Sequence, residues 1–186
     1  LRKNLEILKE ARENNTPLVL LAGHPYHMDQ LIHQQVSQML SDLGVGVINE
    51  EIARGDDSEG FASFFTVSQW EYPNRVLQAA WWVSRQQQNI GLIQLNSFGC
   101  GPDSFIIDEI SDLTRRMDVP YALLRIDEIS SPGSTRLRLR SLVASLKLRS
   151  AQFETTVKET RGANSIAVFQ PEDRWKTILV PWFSDF

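Results

Sequence analysis

The chain has 186 residues, of which 42% are hydrophobic and 23% charged, the balance of a globular protein that can bury a substantial core. Its formal net charge of −4 argues against nucleic acid as a partner, and no apolar stretch approaches the roughly 18 residues of a membrane span. The single cysteine excludes an internal disulfide and suits a reducing, cytoplasmic compartment.

The first third of the chain alternates between amphipathic and apolar segments. Residues 1–15 have apolar side chains at helical spacing, and the run LVLLAG at 18–23 is typical of a strand buried on both faces. Apolar positions from 29 to 43 repeat at three and four and predict a second helix, which Gly44 would end, and VGVIN at 45–49 predicts a second strand. Residues 50–68 show no clear period and are predicted to be a loop or a short helix.

The same alternation continues through the rest of the chain. Pro73 fits the first turn of a helix that runs through RVLQAAWWVSRQQQ, and IGLIQLNS at 90–97 predicts the third strand. A helix over 103–117 and the strand YALLRI at 121–126 follow. A glycine- and proline-containing loop then leads into a long helix from about residue 135 to about residue 160.

This order of elements predicts an α/β fold with a mostly parallel sheet of about four or more strands and helices on both faces. The expected strand order is 2-1-3-4, a doubly wound, flavodoxin/Rossmann-like arrangement. Because the chain begins inside a helix, we expect residues 1–163 to be a three-layer domain excised from a longer protein, with 164–186 a strand-containing extension into a following domain. Ligands in such folds bind at the carboxyl ends of the strands, at the switch point between the first and third strands.

Three loops with unusual local chemistry follow the first, third and fourth predicted strands, so they share that carboxyl edge. Their sequences are GHPYHMD, SFGCGPD and DEISSPGSTR. The candidate ligand-binding residues are Gly23, His24, Pro25, His27 and Asp29 in the first loop, Gly99, Gly101 and Asp103 in the second, and Asp127, Glu128, Gly133, Ser134, Thr135 and Arg136 in the third.

The only cysteine, Cys100, stands directly before a predicted helix. Free backbone N–H groups and the helix dipole favour a thiolate there, and a thiolate is the form that binds a metal or an iron–sulfur cluster. Gly99 and Gly101 allow positive φ angles and leave room for a bulky ligand. The alternative is a tight strand-to-helix turn in which the cysteine is incidental, because one cysteine cannot hold a cluster by itself.

His24 and His27 form an H-x-x-H pair, which on a helix could share a zinc ion. Pro25 places the first histidine in a turn, however, and no third ligand follows at a motif spacing. The sequence therefore favours hydrogen-bonding roles for His24 and Tyr26, with Asp29 near the start of the following helix as a cap or dipole partner.

The segment SPGSTR could wrap a phosphate, since Gly133 gives access to the backbone, Ser134 and Thr135 carry hydroxyls and Arg136 offers a bidentate fork. Alternatively, Ser134 caps the helix and Arg136 is simply solvated. Residues 134–149 include five basic side chains and no acidic one, which usually marks a solvated helix face. A surface that faces an anion or a partner is the alternative.

Asp127 and Glu128 follow the fourth predicted strand and could act as an acid/base pair. They could equally cap the following turn. Adjacent residues at the end of a strand point to opposite faces, so at most one of them can face the predicted ligand site at the carboxyl edge of the sheet.

Four stretches together resemble a known family: GHPYHMD, YPNRV, QLNSFGCGPDSF and RIDEISSPGSTRLRLRSLV, spread over about residues 17 to 145. They resemble the 2-hydroxyacyl-CoA dehydratase D-component family, and more closely the related domain of large acyl-CoA dehydratase activase-related proteins. The resemblance implies a four-iron four-sulfur cluster held by several cysteines, which takes one electron from an ATP-dependent activase and drives dehydration of a 2-hydroxyacyl-CoA. Cys100 stands in the place of one such ligand.

The chain departs from that family in having no further cysteine. We therefore expect no complete cluster and no activity from this chain alone, with the other ligands outside it. The first functional hypothesis is a fragment of an iron–sulfur protein that works with an activase and acyl-CoA. The second is a cluster-free module that binds acyl-CoA or a nucleotide phosphate, and the third is a domain that docks a partner through its basic helix.

Overall fold

A computed structural model describes residues 1–55, 70–86, 89–97, 101–126 and 132–155 of the chain, with the side chains of the last helix described as far as Arg149. The strands are β1 (Leu18–Ala22), β2 (Gly46–Asn49), β3 (Ile90–Ser97) and β4 (Tyr121–Ile126). The α-helices are α1 (Arg2–Asn14), α2 (Val36–Asp42), α3 (Glu71–Ser84), α4 (Gly101–Arg116) and α5 (Pro132–Thr155), and short 3-10 helices cover Pro25–Met28 and Glu50–Ala53.

The four strands form one parallel sheet in the order β2-β1-β3-β4. All five residues of β1 are buried, as are the first seven of β3, which explains why these strands read as continuous apolar runs rather than as alternating patterns. The predicted doubly wound α/β fold and its strand order are confirmed.

Helices cover both faces of the sheet. On one face α1, α3 and α4 pack on side chains such as Leu20 and Leu92, and on the other α2 and α5 pack on side chains such as Val19 and Ile93. Successive strand residues point to opposite faces, so each central strand contributes to both cores. The prediction of helices on both faces is therefore confirmed as well.

The predicted helix over 29–43 is much shorter in the structure, where the only α-helical part is α2. Gln34 and Gln35 have φ angles of 52° and 60°, in the left-handed region, and an α-helix cannot run through two such residues. The segment before them is the 3-10 helix Pro25–Met28 followed by turns.

Some predictions concern residues outside the described ranges. They include most of the segment 50–68, of which Glu50–Ala53 is seen as a 3-10 helix, and the boundary between 163 and 164. Among the helices of the described ranges, none combines the length and apolarity that a membrane span requires.

Candidate functional site

The loop after β1 folds against the end of β3. The last residue of β1, Ala22, is in register with Gln94, so β3 continues three residues further, to Ser97. At Gly23 an added Cβ would lie 2.8 Å from Nδ1 of His27 and 3.0 Å from the carbonyl oxygen of Leu95. Only glycine fits such a close approach, and this approach places the loop beside the carboxyl end of β3.

His24 contacts Asp103 across the two loops. Its Nε2 atom lies 2.9 Å from each carboxylate oxygen, and the two side chains are only 15% and 3% exposed. An ionised carboxylate can only accept, so Nε2 of His24 carries the proton and donates it. Asp103 lies in the first turn of α4, where the positive end of the helix dipole favours a carboxylate. The structure thus joins the loop after β1 to the first turn of α4.

His27 is completely buried beside this pair. Burial lowers the pKa of His27 from 6.5 to about 4; the positive charge of His24 also lowers it, while Asp103 opposes the shift. The imidazole is therefore neutral at neutral pH. The backbone N–H of His24 donates to Nδ1 of His27 at 3.0 Å, and Nε2 of His27 lies 2.8 Å from Oγ of Ser97.

Two hydroxyl groups continue this arrangement. Oη of Tyr26 lies 3.2 Å from Oγ of Ser97, and the Tyr26 side chain is half exposed. The Tyr26 ring also stacks on the His24 imidazole, with 5.5 Å between the ring centroids. The hydrogen bonds that begin at the buried His27 thus end at the half-exposed phenol of Tyr26, at the carboxyl edge of the sheet.

Helix α3 adds residues that the sequence analysis did not select. The Tyr72 ring lies 5.4 Å from the His24 imidazole, and the Arg75 guanidinium lies 5.9 Å from the centroid of the Tyr72 ring. Arg75 also bonds Oε1 of Glu50 at 3.2 Å. The available signal was the stretch YPNRV, which contributes to the family resemblance and contains both α3 residues.

Two buried oxygens near this edge lack hydrogen-bond partners within the described ranges. They are Oε2 of Glu50, which follows β2, and Oδ1 of Asn96, near the end of β3. Burial raises the pKa of Glu50, while a backbone hydrogen bond and then Arg75 lower it. Unpaired buried polar atoms are costly, so such atoms often mark a binding site.

Three other candidates from the first two loops are exposed or only partly buried. Pro25 opens the 3-10 helix, and Gly101 is the exposed first residue of α4. Asp29 is also exposed, and its Oδ1 atom accepts the backbone N–H of Leu31 at 2.8 Å. Asp29 therefore stabilises a local turn instead of capping the predicted α-helix.

The remaining described candidates form the start of α5. Gly133, Ser134 and Arg136 are exposed and Thr135 is partly buried. Because α5 follows β4, and β4 lies next to β3, this turn belongs to the same edge of the sheet. No hydrogen bond between described residues joins Arg136 to His24 or Asp103.

Other basic side chains of α5 bind the chain itself. Arg138 donates to the carbonyl of Leu123 at 2.9 Å and Lys147 to the carbonyl of Leu43 at 3.4 Å. Arg149 donates to the carbonyl of Asp118. These three side chains therefore join α5 to neighbouring segments through hydrogen bonds to backbone carbonyl groups.

Cys100, Gly99, Asp127 and Glu128 lie outside the described residues. The helix expected directly after Cys100 is present, since α4 begins at Gly101. In the described part of the chain, no group of three or more His, Cys, Asp or Glu side chains is arranged to hold a metal ion.

The donor set of the whole chain does not fit a complete iron–sulfur cluster. Such clusters are held by about four thiolates, with histidine replacing cysteine only in special cases, and this sequence has one cysteine. Both ring nitrogens of His27 already have hydrogen-bond partners. The chain could therefore supply at most one thiolate to a cluster whose other ligands lie elsewhere.

Comparison with known proteins gave one family match. Residues 1–52 match the family model described as "CoA enzyme activase uncharacterised domain (DUF2229)". The matched stretch includes β1, the loop from Gly23 to Asp29, α2 and β2. No curated protein and no solved structure matches the chain. The match supports a relation to activase-related proteins of CoA enzymes over these residues, and the relation to the dehydratase D-component stays a prediction.

Proposed function

We propose that this chain is an acyl-CoA-binding part of an acyl-CoA dehydratase activase-related protein, and that the acyl group enters between the loops after β1 and β3. The observation that carries the proposal is the bond between His24 and Asp103. It joins the loop after β1 to the first turn of α4, the helix that follows β3, at the edge where parallel α/β sheets bind their ligands. The family match, which covers the first of these loops, supports a relation to activases of CoA enzymes, and coenzyme A is proposed as the ligand on the basis of that relation.

The first turn of α5 is the proposed site for the phosphate groups of coenzyme A. Gly133 and Ser134 are exposed there, and the N-terminus of a helix offers free N–H groups and a positive dipole. The Arg136 side chain is exposed and can bond a phosphate in a bidentate manner.

Arg136→Ala should weaken acetyl-CoA binding by roughly 3- to 10-fold, the loss expected for one solvent-exposed charge-assisted hydrogen bond. Isothermal titration calorimetry of acetyl-CoA against the wild type and the variant measures this change. Arg140→Ala is the matched control, because Arg140 is an exposed arginine one turn further along α5. Equal losses for the two variants would show general electrostatic attraction instead of a phosphate site.

A second candidate function is that Cys100 supplies one thiolate to an iron–sulfur cluster completed by ligands outside this chain. It is favoured by the start of α4 at Gly101, directly after Cys100 in the sequence, because the N-terminus of a helix favours a nearby thiolate. In this candidate function the chain supplies one thiolate ligand, and no reaction step is proposed for the cluster.

The full-length natural protein tests this second candidate. After anaerobic reconstitution with iron and sulfide it should be brown and contain iron, and Cys100→Ser should lower its iron content and its absorbance near 400 nm. Because serine keeps nearly the size of cysteine and the proposed phosphate site lies on α5, the same variant should leave acetyl-CoA binding within about 2-fold of the wild type. A colourless, iron-free wild type would eliminate the iron–sulfur role and leave the acyl-CoA proposal standing.

A further inference from the structure

The hydrogen bonds that run from His24 to Ser97 have a fixed direction. A backbone N–H can only donate, so Nδ1 of His27 must accept the bond from His24. Because the pKa of His27 is about 4, the ring carries one proton at neutral pH, and that proton is on Nε2. His27 therefore donates to Oγ of Ser97 and cannot act as a base toward the Ser97 hydroxyl.

The Ser97 and Tyr26 hydroxyls share one hydrogen bond but have two protons between them. If Ser97 donates to Tyr26, the proton of Tyr26 is left over. If Tyr26 donates to Ser97, the proton of Ser97 is left over. In either orientation one hydroxyl proton remains to be donated, at a position where the Tyr26 side chain is 50% exposed.

The charges around this hydroxyl pair favour a neutral acceptor over an anion. His27 is neutral, and Asp103 lies nearby in contact with His24. The Arg75 guanidinium, 5.9 Å from the centroid of the Tyr72 ring, is bound to Glu50. Both cationic groups, His24 and Arg75, are thus already bound to carboxylates, so an anionic oxygen would find no unpaired cation among these groups, whereas a carbonyl oxygen needs only a hydrogen-bond donor.

We infer that the Tyr26–Ser97 hydroxyl pair, supported by His27, donates a hydrogen bond to the thioester carbonyl oxygen of the bound acyl-CoA. This inference rests on the proposed function, and it places the thioester of the bound acyl-CoA beside the Tyr26 and Ser97 hydroxyl groups. His27 is a positioning residue, because it acts on the ligand only through Ser97. The donor chain from the His24 backbone polarises the outermost hydroxyl and strengthens its bond to the carbonyl.

Two probes that differ only at the carbonyl test the inference. Acetyl-CoA carries the thioester oxygen, whereas S-ethyl-CoA has a methylene group in its place. The wild type should bind acetyl-CoA roughly 3- to 10-fold more tightly by calorimetry, the effect expected for one neutral hydrogen bond. The double variant Tyr26→Phe/Ser97→Ala should bind the two probes with equal affinity.

Tyr72→Phe is the matched control, because it removes a tyrosine hydroxyl at the same edge while keeping the ring beside His24. This variant should keep the preference for acetyl-CoA. Ser97→Ala leaves the buried Nε2–H of His27 without its partner, so the fold of the double variant is first checked by circular dichroism.

A wild-type measurement keeps the inference testable if that variant does not fold. The infrared carbonyl stretch of ¹³C-labelled acetyl-CoA should move to lower frequency on binding. Equal wild-type affinity for the two probes, or an unshifted stretch, overturns the inference while leaving acyl-CoA binding intact. Failure of the wild type to bind either probe overturns the proposed function and this inference together.

Discussion

Arg75→Met should lower the free energy of unfolding by about 2–4 kcal/mol at pH 7.5, because it leaves a buried carboxylate without its cation. The side chain of Glu50 is 3% exposed and that of Arg75 is 18% exposed, and their charged groups are 3.2 Å apart. Methionine keeps most of the length of the arginine stem, so the change isolates the charge from the packing. Urea unfolding followed by tryptophan fluorescence measures the loss.

The loss should be smaller at pH 5 than at pH 7.5. Burial raises the pKa of Glu50 and Arg75 lowers it, so removing Arg75 raises this pKa further. A carboxyl group whose pKa is higher in the folded state destabilises the fold as pH rises from its ordinary value through its folded-state pKa. At pH 5 the variant can protonate Glu50 and so avoid the unpaired charge.

Two further variants make this prediction specific to the buried pair. The double variant Glu50→Gln/Arg75→Met should lose less stability than Arg75→Met, since it has no buried charge to leave unpaired. Arg115→Met removes an exposed arginine paired with Asp112 on α4 and should cost less than about 1 kcal/mol. A loss for Arg75→Met that is small and independent of pH would mean that Glu50 is solvated.

The third and fourth strands were predictable from their apolar sequences, although β3 is central and buried whereas β4 lies at the edge of the sheet. The bounds of β3 and β4 are those predicted, 90–97 and 121–126, since each apolar run is framed by polar or proline-containing turns. The parallel direction of the strands followed from the helices between them, because a helical crossover returns the chain to the same end of the sheet before the next strand begins.

The second helix was mispredicted because its periodicity includes apolar residues that are not buried. Leu31 and Ile32 fit the helical spacing, yet they are 84% and 42% exposed. The polar His33 is buried instead, and its Nδ1 atom accepts the backbone N–H of Val36 at 3.1 Å. Because His33 accepts this N–H, α2 begins at Val36, later than the apolar pattern suggests. Nothing in the local sequence reveals this role of His33.

The location of the candidate site was predictable from the sequence, but the bond between His24 and Asp103 was not. His24 and Asp103 were both selected, because loops after parallel strands meet at one edge. Their direct bond joins residues 79 positions apart and depends on the register of β1 against β3. Ser97 and Tyr72 were not selected, because a serine at the end of a strand and a tyrosine at the start of a helix are ordinary residues until the loops are folded.

The stability advantage of the wild type over His27→Asn should shrink by about 2 kcal/mol when the pH is lowered from 7 to 5. The pKa of His27 is about 4 in the folded protein and 6.5 in the unfolded chain. Between these values the unfolded chain binds a proton that the folded protein does not bind, so lowering the pH favours unfolding. Asparagine does not titrate, and its Oδ1 atom can accept the His24 N–H in place of Nδ1.

The comparison removes the contributions of titrating groups that do not interact with His27. Burial also lowers the pKa of His33, so its effect has the same sign, but it is present in both proteins and cancels in their difference. Urea unfolding at half-unit steps of pH gives the two curves. Parallel curves would mean that His27 takes up a proton as readily in the folded protein as in the unfolded chain. The bond from the His24 N–H would then not hold Nδ1 of His27 unprotonated, and the donor direction assigned to Ser97 would lose its basis.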